Sequence, residues 1–137
     1  LLLAGPAAAQ IGRGDAPGGS LLAAREALGA KRILGVSCYA DLALGEEAAK
    51  AGADYIAFGS MFPSRTKPGA TRAPLEVLGQ ARRFGLPVVA IGGITLENAP
   101  QLIAAGADML AVVSDLFDAM DIKARAEAYQ KLFAAAK

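Results

Sequence analysis

Ala51-Gly52-Ala53-Asp54-Tyr55-Ile56-Ala57-Phe58-Gly59-Ser60 returns later in the chain as Ala105-Gly106-Ala107-Asp108-Met109-Leu110-Ala111-Val112-Val113-Ser114, a constant 54 residues on. Each copy reads as a helix end stopped by Gly, a short loop, an apolar strand and a small polar residue where the strand finishes. A second pair keeps nearly the same phase. Ile33-Leu34-Gly35-Val36-Ser37 precedes the first copy, and Val88-Val89-Ala90-Ile91-Gly92-Gly93 precedes the second. Repeated strand–helix units with Gly or Ser at every strand end predict a parallel β/α barrel that handles a phosphorylated small molecule.

Working outward, strands and helices alternate. Strands are expected at Arg32 to Ser37, Tyr55 to Gly59, Pro87 to Ile91 and Met109 to Val113. Helices are expected at Ser20 to Leu28, Leu42 to Ala51, Pro74 to about Phe84 and Leu96 to Ala105, with a short one from Ser114 and a terminal one from Asp121 to Ala135. The strands are continuous apolar runs, as in parallel sheets, and the alternation implies right-handed crossovers. Four βα units follow a Gly-rich opening turn at Ile11 to Gly19. The 137 residues form one domain, 1–137, a partial phosphate-binding β/α barrel. A closed eight-stranded barrel takes about 250 residues, so roughly half is expected here. Four units leave open sheet edges, and such edges favour association into a homo-oligomer.

Composition narrows the function classes. Hydrophobic residues make up 54% and aromatics only 6%, so the core is aliphatic. Fourteen Lys and Arg against 13 Asp and Glu leave a net charge of +1, with no basic run to suit nucleic acid or a membrane surface. The absence of His and a single cysteine, Cys38, argue against a zinc site and rule out an intrachain disulfide. No apolar run approaches the roughly 20 residues of a spanning helix. The expected setting is cytoplasmic.

The chemistry-bearing residues gather at the expected strand ends. Gly92-Gly93 would let a phosphate approach backbone N–H groups, and Ser114 opens a helix whose first N–H groups are free donors. A tight turn and an ordinary Ser cap would use the same residues. The long loop Pro63-Ser64-Arg65-Thr66-Lys67 brings two hydroxyls and two cations, which suit a phosphate or pyrophosphate but also a solvated surface. Asp15 lies in the Gly-rich turn, where a carboxylate could hold Mg²⁺ or cap a helix. Ser37 could hydrogen-bond a substrate or simply pack inside the barrel. Asp54 and Asp108 suit turn or capping roles better than catalysis.

Taken in order, Gly35-Val36-Ser37, Gly52-Ala53-Asp54-Tyr55, Pro63-Ser64-Arg65-Thr66-Lys67, Ala90-Ile91-Gly92-Gly93-Ile94, Gly106-Ala107-Asp108 and Val112-Val113-Ser114 resemble the thiamine phosphate synthase family over about residues 11–120. The resemblance implies a TIM-type (β/α)8 barrel, of which this sequence supplies the second half. It implies a transferase that joins hydroxymethylpyrimidine pyrophosphate to hydroxyethylthiazole phosphate, releases pyrophosphate and uses Mg²⁺. By position it implies Asp15 as a Mg²⁺ ligand and Ser37 at the pyrimidine and pyrophosphate site. Ser64, Thr66 and Lys67 would hold phosphate groups, with Ser37 and Lys67 acting in catalysis. Gly93, Val113 and Ser114 would bind the thiazole phosphate. The family's other Mg²⁺-binding Asp has no match here, Arg13-Gly14-Asp15 stands where a Gln-Glu-Asp-like stretch is usual, and Tyr39 stands near a common His. A thiazole tautomerase of the same fold would need a His that this chain lacks. A non-catalytic half-barrel that binds phosphorylated metabolites is the other alternative.

Overall fold

A computed structural model describes residues 8–12, 20–64, 69 and 72–136. Five parallel strands run side by side in chain order: β1 (Ala8–Ile11), β2 (Ile33–Ser37), β3 (Tyr55–Phe58), β4 (Val88–Ile91) and β5 (Met109–Ala111). The helices are α1 (Leu21–Leu28), α2 (Leu42–Lys50), α3 (Glu76–Ala81), α4 (Ala99–Ala105), α5 (Ser114–Phe117) and α6 (Ile122–Ala135), with a 3-10 turn at Arg82–Phe84 after α3. All four strands expected downstream of the Gly-rich turn are present as β2 to β5. β1 is an additional strand in a segment that was not expected to be regular. Its alanines have weak strand preference, and pairing with β2 through Ala9↔Leu34 and Ile11↔Val36 fixes it.

Sequential parallel order has a consequence. Right-handed crossovers that never reverse direction place their helices on the same side of the sheet. Register then sorts the strand residues into two faces. Ile11, Leu34, Val36, Ile56, Phe58, Val88 and Ala90 share the helix-facing side and form one core with Ala24, Leu44, Ala48, Val77, Leu78, Ala81 and Leu102. Gln10, Gly35, Ser37, Tyr55, Ala57, Val89, Ile91 and Ala111 share the other side. One helix-covered face and one inner face is the wall of a TIM-type barrel, as expected, rather than a doubly wound sheet with helices on both sides. Among the described residues no helix is long and apolar enough to cross a membrane.

Helix ends follow local chemistry. Ser20 caps α1 by accepting from Ala23 N–H, Asp41 caps α2 through Ala43 and Leu44, and Asp121 caps α6 through Ala124. α4 begins at Ala99 rather than at Leu96. Thr95 and Asn98 bond each other's backbone N–H groups first, and Pro100 then sits in the opening turn.

The sequence repeat is a structural repeat at the N-terminal end of the sheet. Asp54 Oδ2 accepts from Leu34 N–H at 2.8 Å, and Asp108 Oδ2 accepts from Val88 N–H at 2.9 Å. Each carboxylate is met by an arginine from the helical segment that leads into the strand it clamps, α1 before β2 and the 3-10 turn before β4. Arg25 reaches Asp54 at 2.6 Å and Gly52 O at 2.7 Å, while Arg82 reaches Asp108 at 3.3 Å and Gly106 O at 3.2 Å. The backbone closes each clamp, with Asp54 N–H on Leu34 O and Asp108 N–H on Val88 O. The expected turn role of both aspartates is therefore the observed one. The Leu34 N–H and the Arg25 guanidinium hold the Asp54 carboxyl below the usual carboxylate value, against a smaller opposing effect of burial. Asp54→Ala and Asp108→Ala each leave a strand N–H without its acceptor, and each should lower unfolding free energy by about 1–3 kcal/mol in denaturant titrations. A change near zero for both would remove the clamps from the account of stability.

Candidate active site

The strand C-termini surround a cavity of about 660 Å³, a size suited to a small-molecule ligand. Ser37, Ser64, Gly93, Val113 and Ser114, all named from the sequence, line it together. Ser37 ends β2. Gly93 follows β4. Val113 and Ser114 link β5 to α5. Asp15, Thr66 and Lys67 lie outside the described residues. Among the described residues no group of three or more His, Cys, Asp or Glu is placed to hold a metal ion.

The loops after β3 and β4 are built against each other. Met61 N–H donates to Ile91 O at 2.9 Å and Phe62 N–H to Gly92 O at 3.1 Å, so pairing continues beyond the strands. Gly93 has φ +66°, and a Cβ there would lie 2.5 Å from Pro63 O and 2.8 Å from Phe62 O. Its lack of a side chain thus serves two ends. It permits the left-handed turn, and it lets the Ser64-bearing loop close over β4. Asn98 Nδ2 donates to Gly93 O at 3.0 Å and fixes the peptide from the other side. Among the described residues the N–H groups of Gly93 and Ser114 have no acceptor.

Asp115 was not singled out by sequence reasoning, yet it organises this corner. Its carboxylate accepts from Leu96 N–H at 3.2 Å and from the Tyr129 hydroxyl at 2.6 Å, and it pairs with Arg125 at 2.7 Å. Arg125 also donates to Asp115 O at 3.1 Å. One side chain therefore joins the turn after β4, α5 and α6. Burial would raise the Asp115 carboxyl, but the Tyr129 and Arg125 donors and the Leu96 N–H together hold it below the usual value. The only sequence signal was Arg125 and Tyr129 four residues apart, on one face of the terminal helix. Asp115, Arg125 and Gln10, also unforeseen, line the cavity.

Tyr39, at φ +57°, lines the cavity too, and its carbonyl accepts from Gly59 N–H at 3.0 Å. Cys38, next to Ser37, belongs to the core on the helix-facing side. Burial, aided by the negative charge of Asp41, pushes its thiol up to about 12, so it packs as an apolar residue rather than serving as a nucleophile.

Residues 6–116 match the family model for thiamine monophosphate synthase. The chain belongs to that family. It is 61% identical over 125 residues to the thiamine-phosphate synthase of Azoarcus sp. (strain BH72), covering 90% of this chain and 59% of the relative. With the thiamine-phosphate synthase of Thiobacillus denitrificans it shares 53% identity over 134 residues, covering 97% of this chain and 62% of the relative. The solved thiamine phosphate pyrophosphorylase from Pyrococcus furiosus superposes with a TM-score of 0.79 at 35% identity, covering 93% of this chain and 59% of that one. The chain thus spans about three-fifths of the length of these relatives.

Two outcomes test this corner. Gly93→Val should lower the affinity of the cavity for a phosphate monoester at least about tenfold, or roughly 1.4 kcal/mol; unchanged affinity in calorimetric titration with the fold intact would separate Gly93 from phosphate binding. Asp115 has a depressed folded-state pKa, so its contribution to stability is present above the ordinary carboxylate value of 3.8 and is lost as pH falls through the folded value. Denaturant titrations from about pH 5 to about pH 2 should show this loss in the wild type and a shallower fall in Asp115→Asn. Equal slopes would argue that the carboxylate bears no linked load.

Proposed function

We propose that this chain carries the acceptor-side half of a thiamine phosphate synthase active site, which joins hydroxymethylpyrimidine pyrophosphate to hydroxyethylthiazole phosphate. The observation that carries the reading is the meeting of Ser37, Ser64, Gly93, Val113 and Ser114 on one cavity at the strand C-termini. In this reading the thiazole phosphate sits on the free N–H groups of Gly93 and Ser114. The pyrimidine lies by Ser37, and the loop that Ser64 opens, with Thr66 and Lys67 further along it, holds the pyrophosphate.

The reaction is the one the family resemblance implies. The carbon–oxygen bond to pyrophosphate breaks, and its electron pair leaves with the pyrophosphate. The resulting pyrimidine cation is captured by the lone pair of the thiazole nitrogen, forming the new carbon–nitrogen bond. Preplaced donors are most effective where charge develops, and here charge develops on the departing pyrophosphate. The loop cation Lys67 and the Ser37 and Ser64 hydroxyls are assigned that task. Mg²⁺ enters the proposal only through Asp15. The described residues supply no metal cluster, so no step is assigned to the ion.

A cytoplasmic setting goes with the reading, supported by the lone, buried Cys38 and the biosynthetic class of the relatives. So does association between copies of the chain, supported by the exposed apolar side chains of Met109, Val113, Phe117 and Met120 beside the β5 edge.

Pyrophosphate release across a Mg²⁺ titration is the test. Lys67→Ala and Asp15→Asn should each lower kcat by roughly 10²-fold or more, the scale of one lost transition-state electrostatic contact. Asp15→Asn should also raise the Mg²⁺ requirement, whereas Lys67→Ala should not. Affinity for thiazole phosphate should barely change in either variant. A wild-type protein that binds thiazole phosphate yet releases no pyrophosphate at any Mg²⁺ level would replace the synthase reading with that of a phosphometabolite-binding module.

A further inference from the structure

Gln10, Gly35 and Tyr55 lie on one rung across β1, β2 and β3, on the face away from the helices. Gly35 leaves room on that rung, since a Cβ there would collide with the Tyr55 ring. Tyr55 therefore reaches over the intervening strand, and its hydroxyl donates to Gln10 Oε1 at 2.7 Å. Among the described residues no acceptor meets the Gln10 amide nitrogen, and Gln10 lines the cavity. Ser37, two residues beyond Gly35 on the same face of β2, lines it two rungs nearer the strand ends. Gly93 and Ser114 follow β4 and β5, at the other side of the sheet order.

We propose that Gln10 is a substrate-contacting residue that donates from its amide nitrogen to a ring nitrogen of the pyrimidine, and that Tyr55 is the positioning residue that fixes the amide in this orientation. An isolated carboxamide presents either an acceptor or a donor, depending on which way it is turned. Among the described residues the Tyr55 hydroxyl meets no acceptor other than Gln10 Oε1, so turning the amide would leave its proton unpaired, and the nitrogen end is the one offered to the cavity. Burial raises the Tyr55 phenol above its ordinary value and keeps that proton in place. A pyrimidine ring nitrogen carries a lone pair in the ring plane and accepts one such hydrogen bond. The nearness of Gln10 to Ser37, and its distance in strand order from Gly93 and Ser114, selects the pyrimidine over the thiazole phosphate. The assignment of substrates to the two sides rests on the proposed function.

The test uses Gln10→Met, which keeps length and neutrality but removes the donors, and Tyr55→Phe, which keeps the ring over Gly35 and removes the hydroxyl. Binding of hydroxymethylpyrimidine pyrophosphate, inorganic pyrophosphate and thiazole phosphate is measured separately by calorimetry, alongside steady-state pyrophosphate release. Gln10→Met should weaken pyrimidine pyrophosphate binding and raise its KM by about tenfold, the scale of one hydrogen bond. Tyr55→Phe should do the same to a smaller degree. Affinity for inorganic pyrophosphate and the KM for thiazole phosphate should stay at wild-type values. If Gln10→Met does not fold, Tyr55→Phe carries the test. Variants that lose stability but keep wild-type pyrimidine affinity would reduce the pair to a brace of the sheet and overturn the inference, while leaving the synthase reading intact. A wild type that releases no pyrophosphate, yet binds the pyrimidine in a Gln10-dependent way, would overturn the synthase reading and uphold the inference. A wild type that binds no pyrimidine pyrophosphate overturns both.

Discussion

A carboxylate at the foot of a strand, accepting from the backbone of the strand before it, is the constraint on which the described sheet depends. Asp54 ties β3 to β2, and Asp108 ties β5 to β4. In each case an arginine from the helical segment that leads into the clamped strand covers the same carboxylate and the carbonyl of the glycine two residues earlier. The helix, the turn and two strands are thereby fixed by one residue. A one-residue slip of a strand would turn every side chain to the other face, and the clamp opposes it at the strand's first position. Register then places Ser37 and Gln10 on the inner face and Leu34, Val36 and Phe58 in the core.

The clamps and the cavity occupy opposite ends of the strands, and this division explains why the repeat and the chemistry were both legible. The aspartates recur because each unit needs the same anchor at its N-terminal end. The strand C-termini differ from unit to unit: Ser37 and Gly59-Ser60 in the first repeat, Gly92-Gly93 and Val113-Ser114 in the second. Residues confined by position to a strand end converge whatever the details of the loops, so Ser37, Gly93, Val113 and Ser114 could be named from the order of the chain.

What escaped sequence reasoning depends on contacts between distant residues. β1 was not foreseen because Ala8 and Ala9 carry little strand preference, and only the ladder to β2 specifies them. With the strand went Gln10, whose partner Tyr55 is 45 residues away. Asp115 looked like an ordinary residue of a short helix. Its meaning comes from Leu96, 19 residues earlier, and Tyr129, 14 residues later. α4 was expected to begin three residues early, since periodicity registers Leu96 and Ile103, seven residues apart, on one face but cannot see that Leu96 N–H is engaged by Asp115 and that Thr95 and Asn98 have already formed a turn.

Asp115 also resolves an electrostatic difficulty at the corner proposed to take the phosphate. A carboxylate in the first turn of α5, beside the free N–H of Ser114, would repel an incoming phosphate if it were free to face the cavity. Its oxygens are instead taken up by the Tyr129 hydroxyl, the Leu96 N–H and the Arg125 guanidinium, and Arg125 neutralises its charge. The same contacts hold α6 and the turn after β4 in the geometry that leaves the Gly93 and Ser114 donors unpaired. A group that looks misplaced when judged by charge alone is thus the means by which three segments present two backbone donors to one cavity.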